Sequence, residues 1–302
     1  MGGAGTNVFG RWRSNAAAAR QVEVKETIHW PLSTPPDQER RCALLLYGLP
    51  KFFKDRCFPT LEARILSRLP FPVDVFVHTY DLHETTNVRN NEAACRLFPE
   101  EVEVAHPVRV EMQDQGVVDK VHLAQFNELK RYGDAWFNHY VSLKNVLRQY
   151  NSLHRAYKLM ELEQEEKGIQ YTILCASRMD VLYLDNLPDS CVQSLAQLDP
   201  GTIFVPNFHE WELREDNLIY PTGGMNDRFA IGCRHAMRVY TDRVEHAVSF
   251  CRQRARMFHT ETFLKWHLAQ RRVTVRKMPF RFQRIRGSGD IHDTDRELGD
   301  FR

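Results

Sequence analysis

The sequence predicts an α/β fold, a single domain with a mostly parallel central sheet flanked by helices. Three observations predict it. Residues 42–47, "CALLLY", form an unbroken apolar run stopped by Gly48 and Pro50, the pattern of a strand buried on both faces. A helical segment and a second apolar run follow at once, giving β-α-β. Further short apolar runs then alternate with helical stretches, without internal repeats.

"CFPTLEARILSRL" spaces Leu61, Ile65 and Leu69 four apart, as a helix facing a core does. "VDVFVHTYD" is an apolar run that ends in polar groups, and "EVEVAHPVRVEM" predicts a strand over about 101–112. A long helical stretch is expected over about 120–167, with a break at Gly133. Its stripe of Tyr140, Leu143, Val146, Leu147, Tyr150, Leu153, Tyr157 and Met160 has a 3.6-residue period, and Gly168 stops it. "YTILCASRMDVLYLDNLP" opens as a buried strand, is interrupted by Arg178 and Asp180, and resumes as apolar. A short helix at about 188–197, the strand "GTIFVPN", a long loop and the strand "RFAIGC" come next. "RHAMRVYTDRVEHAVSFCRQRARM" reads as one helix and "TETFLKWHLAQRR" as another. "VTVRKMPFRFQRIRG" reads as one or two strands. The domain therefore spans 39–286, between a disordered tail at 1–38 and an acidic tail at 287–302 that should fray.

Composition narrows the class. The 302 residues are 43% hydrophobic and 26% charged, enough for one large domain or two small ones. A formal net charge of +2 gives no global drive toward nucleic acid or an anionic membrane. No apolar run is long enough for a transmembrane helix, and the first residues lack the apolar core of a signal peptide. Gly2 and Thr6 fit the loose myristoylation pattern, and the Ala-, Gly- and Arg-rich start also admits a transit-peptide remnant. Seven cysteines, an odd number without a C-x-x-C pair, read as small buried hydrophobes in a reducing compartment.

In open α/β sheets ligands bind beyond the carboxyl ends of the strands. Three such ends carry chemistry: Tyr47-Gly48, His78 in "HTYD", and Arg178 with Asp180. Period 2 puts Arg178 and Asp180 on one side of a strand, where the carboxylate can pair with the arginine or coordinate a cation while the arginine takes a phosphate oxygen. A purely structural pair uses the same spacing. In "PTGGMNDRFAIG" a Gly-Gly turn precedes Asn226 and Asp227, either a plain loop or groups for a sugar hydroxyl or a metal. In "FHTETFLKWHL" Thr260 is placed to cap a helix with Glu261 in its first turn, so capping competes with catalysis. "HTYDLH" offers His78, Asp81 and His83 without a zinc spacing. Arg271, Arg272, Arg276, Arg281, Arg284 and Arg286, with Phe280 and Phe282 interleaved, fit a nucleic-acid face, a diphosphate site or a solvated strand surface. The P-loop, dinucleotide, nucleophile-elbow and H-E-x-x-H patterns are absent.

The order "CALLLYGLPKFF", "VDVFVHTYD", a long helix, "YTILCASRMDVLY", "IFVPN", "GGMNDRFAIGCRHAMRVY" and "TETFLKWHL" resembles a loosely defined group that looks like nucleotide-sugar glycosyltransferases of the GT-A type. The resemblance spans about residues 40–275. It implies a GT-A-like (Rossmann-like) domain that transfers a sugar from a nucleotide-diphosphate donor to a glycan or other hydroxyl acceptor. It places Tyr47, Gly48, His78, Arg178, Asp180 and Asn226 around the donor, and Asp180 where such enzymes hold Mn²⁺ or Mg²⁺. The usual D-x-D has Arg178 in its first position here, so either Asp180 holds the metal with diphosphate oxygens or Arg178 replaces it. If transfer inverts the anomeric centre, Asp227 and then Glu261 are the candidate catalytic bases, whereas a retaining enzyme needs no base there. The competing readings are an inactive nucleotide- or glycan-binding domain of the same fold and, behind it, a nucleic-acid-binding protein using the Arg-rich strands. The compartment stays open between the cytoplasm and, for part of an anchored precursor, the Golgi lumen.

Overall fold

Strand β1 (Cys42–Tyr47) is fully buried because its two faces meet two different cores. Cys42, Leu44 and Leu46 pack into one apolar layer, and Ala43, Leu45 and Tyr47 into the other. Alternation thus separates side chains without separating apolar from polar, which is why the run reads as continuous. Each buried leucine contributes roughly 1.5–3 kcal/mol relative to exposure. The structure, a computed structural model, describes residues 40–87, 92–197 and 199–299. The expected tail at 1–38, with its Gly2 and Thr6, lies outside them.

After β1 come α1 (Phe58–Arg64), β2 (Val73–Tyr80), the pair β3 (Glu84–Asn87) and β4 (Glu92–Arg96), and β5 (Arg109–Gln113). Helices α2 (Gln115–Val121), α3 (Leu123–Lys130) and α4 (Val141–Lys167) lead to β6 (Ile173–Arg178) and β7 (Val181–Tyr183). Then follow α5 (Asp189–Gln197), β8 (Thr202–Pro206), the ribbon β9 (Glu212–Leu213) and β10 (Ile219–Tyr220), and β11 (Phe229–Cys233). Helices α6 (Arg234–Thr241), α7 (Arg243–Arg254) and α8 (Thr260–Gln270) precede β12 (Thr274–Met278) and β13 (Phe282–Arg284).

Seven strands form the central sheet in the order β12-β8-β11-β6-β1-β2-β5, parallel throughout except for β11. The α/β class with a mostly parallel sheet is therefore the observed one. Helices α1 and α5 cover one face, where Leu61 and Leu195 join the first core. Helices α4, α6 and α8 cover the other through Leu153, Met237 and Leu264. All seven cysteines are free thiols, and six of them are buried.

Four expectations need correction. The strand expected over 101–112 is a 3₁₀ turn at Pro99–Ala105 followed by β5, because His106 adopts a left-handed φ of 45° and Pro107 follows it. The long helix does break at Gly133, but the break is wider than expected, a loop over 131–140 that leaves Tyr140 outside the helix. Asp134 organises that loop, its carboxylate accepting from the backbone N–H of Trp136, Asn138 and Tyr140 at 3.1, 2.9 and 2.8 Å. The helix expected over 234–257 divides at Asp242, which ties the break to His267 of α8 at 2.9 Å. Over 287–299 the acidic end is packed: Asp295 is fully buried and bonded to Arg284, in a 3₁₀ turn at Asp293–Gly299.

Candidate functional site

The chain leaves β1 toward β2 on one side and later returns to lay β6 on the other. The carboxyl ends of β1 and β6 thus bound a topological switch point. Parallel register sets His78, Tyr47 and Arg178 level across the three strands. At the end of β1, Gly48 turns with φ 95°, a left-handed value that a side chain would strain. Its N–H donates to Ser152 Oγ and its carbonyl accepts from Thr79 Oγ1, both at 2.9 Å. Strand β11 runs the other way, so its amino end delivers Asp227 and Arg228 to this same edge, where Arg178 N donates to the Arg228 carbonyl at 3.3 Å. A cleft of about 650 Å³ opens here, lined by Gly48, Arg178, Asp180, Asp227 and Glu261 among others.

The interrupted run around Arg178 is two strands joined by a turn. The chain bends at Met179 and Asp180, and β7 leaves the central sheet to pair with β13. Arg178 Nε and Nη2 donate to Asp180 Oδ1 and Oδ2 at 2.8 and 2.5 Å, and Nη1 donates to Gln149 Oε1 on α4 at 3.1 Å. Burial pushes the Asp180 carboxyl upward, but the Arg178 guanidinium outweighs it and holds the group below the ordinary carboxylate range.

This donor set does not fit a divalent cation. Both Asp180 oxygens already accept from one guanidinium, and a cation beside Arg178 would be repelled by it. Among the described residues no group of three or more His, Cys, Asp or Glu side chains is arranged to hold a metal. His83 lies 3.4 Å from Asp81 in an exposed pair, while His78 is fully buried elsewhere.

Beside the Arg178–Asp180 pair, at the amino end of β11, Arg228 joins the two candidate bases. Its Nη2 donates to Glu261 Oε1 at 3.0 Å, and its Nη1 lies 3.4 Å from Asp227 Oδ1. Glu261 also accepts from Thr260 Oγ1 and lies 3.5 Å from His259 Nε2. Burial opposes its charge, yet His259, Arg228 and Thr260 together hold the carboxyl below its usual range. Thr260 is not the cap of α8: His259 occupies that position, stacked on Trp136 with ring centroids 5.9 Å apart. The Gly-Gly turn brings these elements together, because a Cβ on Gly224 would meet the Trp211 carbonyl at 2.0 Å.

Three of the expected donor residues face away from the cleft. Tyr47 is fully buried and its hydroxyl donates to the Asp227 carbonyl at 3.2 Å, supporting the site from below. His78 is fully buried between Ser152 Oγ at 2.9 Å and Gln113 Oε1 at 3.0 Å. Asn226 uses Nδ2 on the Phe208 carbonyl and Oδ1 on the Arg228 N–H, shaping the turn. Of the C-terminal arginines, Arg284 and Arg286 reach the cleft. Arg281 is held bidentately by Asp185 on its other side, and Phe280 and Phe282 are core residues packed on Tyr183. A basic face with aromatic side chains for stacking is therefore not formed there.

The Arg-rich C-terminal reading includes Arg284 and Arg286, whereas no motif singles out Arg228 or His259. Arg228 had a signal, a charge immediately before an apolar run. Arg284 and Arg286 had another, the two-residue spacing in "RIR" that sets both on one side of an extended chain.

No protein-family model matches the chain. No curated protein matches it. Among solved structures it is similar to mouse xyloside xylosyltransferase 1 in its apo form. The identity is 11%, over 80% of this chain and 85% of that one, with a TM-score of 0.41. No helix among the described residues is long and apolar enough to cross a membrane.

Proposed function

We propose that this chain is a glycosyltransferase that moves a sugar from a nucleotide-diphosphate donor to a hydroxyl acceptor. The observation that carries the reading is the meeting of the Arg178–Asp180 pair with Asp227 and Glu261 in one cleft at the switch point of a mostly parallel sheet. The cleft's volume, about 650 Å³, is in the range of small-ligand sites. Transfer forms a bond from the acceptor oxygen to the anomeric carbon. It breaks the bond from that carbon to the phosphate oxygen, and the electron pair leaves with the nucleoside diphosphate. The acceptor's proton goes to a carboxylate. Asp227 suits that task better than Glu261. Asp227 reaches Arg228 only at 3.4 Å, whereas Glu261 is saturated by Arg228 and Thr260 and anchors the arginine. Trp136 and Trp211 also line the cleft, stacked on His259 and His209, and add apolar surface against which a sugar can pack.

The test is a thermal-shift screen with UDP, GDP and CMP and their sugars, followed by measurement of nucleoside diphosphate release. A ligand-induced rise in Tm with release of nucleotide is expected, and Asp227→Asn should keep the rise and lose the release. No rise with any nucleotide, with or without Mn²⁺, would overturn the reading. A second reading, a binding domain that kept the fold, is favoured by one observation, the commitment of Asp180 to Arg178 in place of a metal. It predicts the rise in Tm without release in the wild type.

A further inference from the structure

Two guanidinium groups at the cleft have hydrogen-bonding capacity that the protein does not use. Nε and Nη1 of Arg228 and Nη1 of Arg286 are buried without a hydrogen-bond partner. Each residue is 7% exposed, and both line the cleft. A buried N–H left without a partner is costly, so such groups in a native fold call for an explanation. The three other arginines that line the cleft are committed, Arg148 bidentately to Asp119 at 2.8 and 2.7 Å. Arg178 is bidentate to Asp180, and Arg284 is bidentate to Asp295 at 2.8 and 2.7 Å. Arg286 has only a loose ion pair, 3.8 Å to the exposed Asp293.

The wall is also self-repelling. Burial and then the neighbouring Arg228 push the Arg284 guanidinium below its usual basicity. Burial, Arg284 and Arg286 push His292 on the same wall down to about 3. Five guanidinium groups and the imidazoles of His259 and His292 line one cavity, and Arg286 holds its carboxylate partner the most loosely, at 3.8 Å. A bound polyanion would relieve both the unused donors and the repulsion.

We propose that Arg228 and Arg286 together take the diphosphate of the donor, in the place a divalent cation would otherwise fill. This rests on the transferase reading for the identity of the donor but not for the anion site itself. The two arginines come from different elements, one entering β11 and the other following β13. A diphosphate carries enough charge and acceptor oxygens to engage both, whereas a lone carboxylate has two oxygens and one charge. In transfer the same two groups would stabilise the charge that the leaving nucleoside diphosphate acquires.

The experiment is titration calorimetry of the full chain with inorganic pyrophosphate and with UDP, each in EDTA and in Mn²⁺. Wild type should bind both in EDTA, and Mn²⁺ should change the affinity by less than about threefold. Losing a charge-assisted hydrogen bond makes Arg286→Gln weaken both ligands by roughly tenfold or more. Arg228→Lys, which keeps the charge beside Glu261, should fold as judged by near-UV circular dichroism and weaken binding comparably, because it loses the fork. Binding that requires Mn²⁺, no binding of either ligand, or unchanged affinity in Arg286→Gln would overturn the proposal. Pyrophosphate binding in EDTA with no turnover of any nucleotide sugar would support the anion site while overturning the transferase. Turnover that depends strictly on Mn²⁺ would do the reverse.

Discussion

Replacing Asp180 by alanine removes the partner of a guanidinium that the fold has largely taken out of water. The Arg178 side chain is 23% exposed and that of Asp180 is 10% exposed. After the substitution Arg178 keeps one neutral contact, Gln149 at 3.1 Å. Breaking a buried pair from one side costs about 3–5 kcal/mol, and the residual exposure of Arg178 puts this case near about 3 kcal/mol. For a chain of this size that is a fall of roughly 6 °C in Tm, at about 2 °C per kcal/mol. Urea unfolding of Asp180→Ala, Arg178→Ala and the double variant measures the coupling directly. The double variant should be less destabilised than the sum of the singles by at least about 1 kcal/mol.

The pH profiles carry the sharper test. In the wild type the Asp180 carboxyl titrates below its ordinary value, so its contribution is present above about pH 4 and lost as pH falls through the folded value. In Arg178→Ala burial acts with only the weaker attractions of Lys51 and Arg284 against it, and the folded value moves up. Stability should then increase as pH falls through that raised value. An Asp180→Ala cost below about 1 kcal/mol, or an unchanged acid limb in Arg178→Ala, would refute the reasoning that this pair is desolvated and mutually dependent.

Two other outcomes are expected. Asp295→Asn should cost roughly 3 kcal/mol or more, because Arg284 and His209 lose a buried carboxylate. Hydrogen exchange should quicken at 284–295, and protection equal to wild type would contradict this. Burial holds His78 neutral, with its value pushed from 6.5 to about 4, against the pull of Gln113 and Glu111. The unfolded state therefore binds more protons in this window. Stability is complete above about pH 6.5 and falls by up to roughly 1.4 kcal/mol per pH unit toward pH 4. His78→Gln should flatten that limb in urea unfolding at pH 7.5 and 5.5, and an unaltered slope would assign it to other groups.

Local pattern was a sufficient guide wherever one residue's environment follows from its neighbours in the chain. β1, β2, β8, β11 and α8 were legible because a continuous apolar run or a 3.6-residue stripe reports burial directly. The interruption at Arg178 and Asp180 was legible for the same reason: charge inside an apolar run is costly and has to be explained. Pattern found the break at Gly133 but not its length over 131–140, where one aspartate captures three amides, and it failed at Asp295, whose acidic surroundings read as solvated. In both cases the deciding partner is a hydrogen bond, and no periodicity reports it.

The α/β class, the strand ends that carry polar groups, and Arg178, Asp180, Asp227 and Glu261 as residues to watch are all readable from local pattern. Which of these side chains meet is settled by packing between distant segments. The antiparallel course of β11 brings Asp227 and Arg228 to the edge where Arg178 ends β6, and strand direction is set by packing over the whole sheet. Burial of Asp295 against Arg284 folds the C-terminal segment onto the cleft and so turns Arg286 inward. These are contacts between residues far apart in the chain, paired by charge and shape in three dimensions, and neither term is written in local spacing.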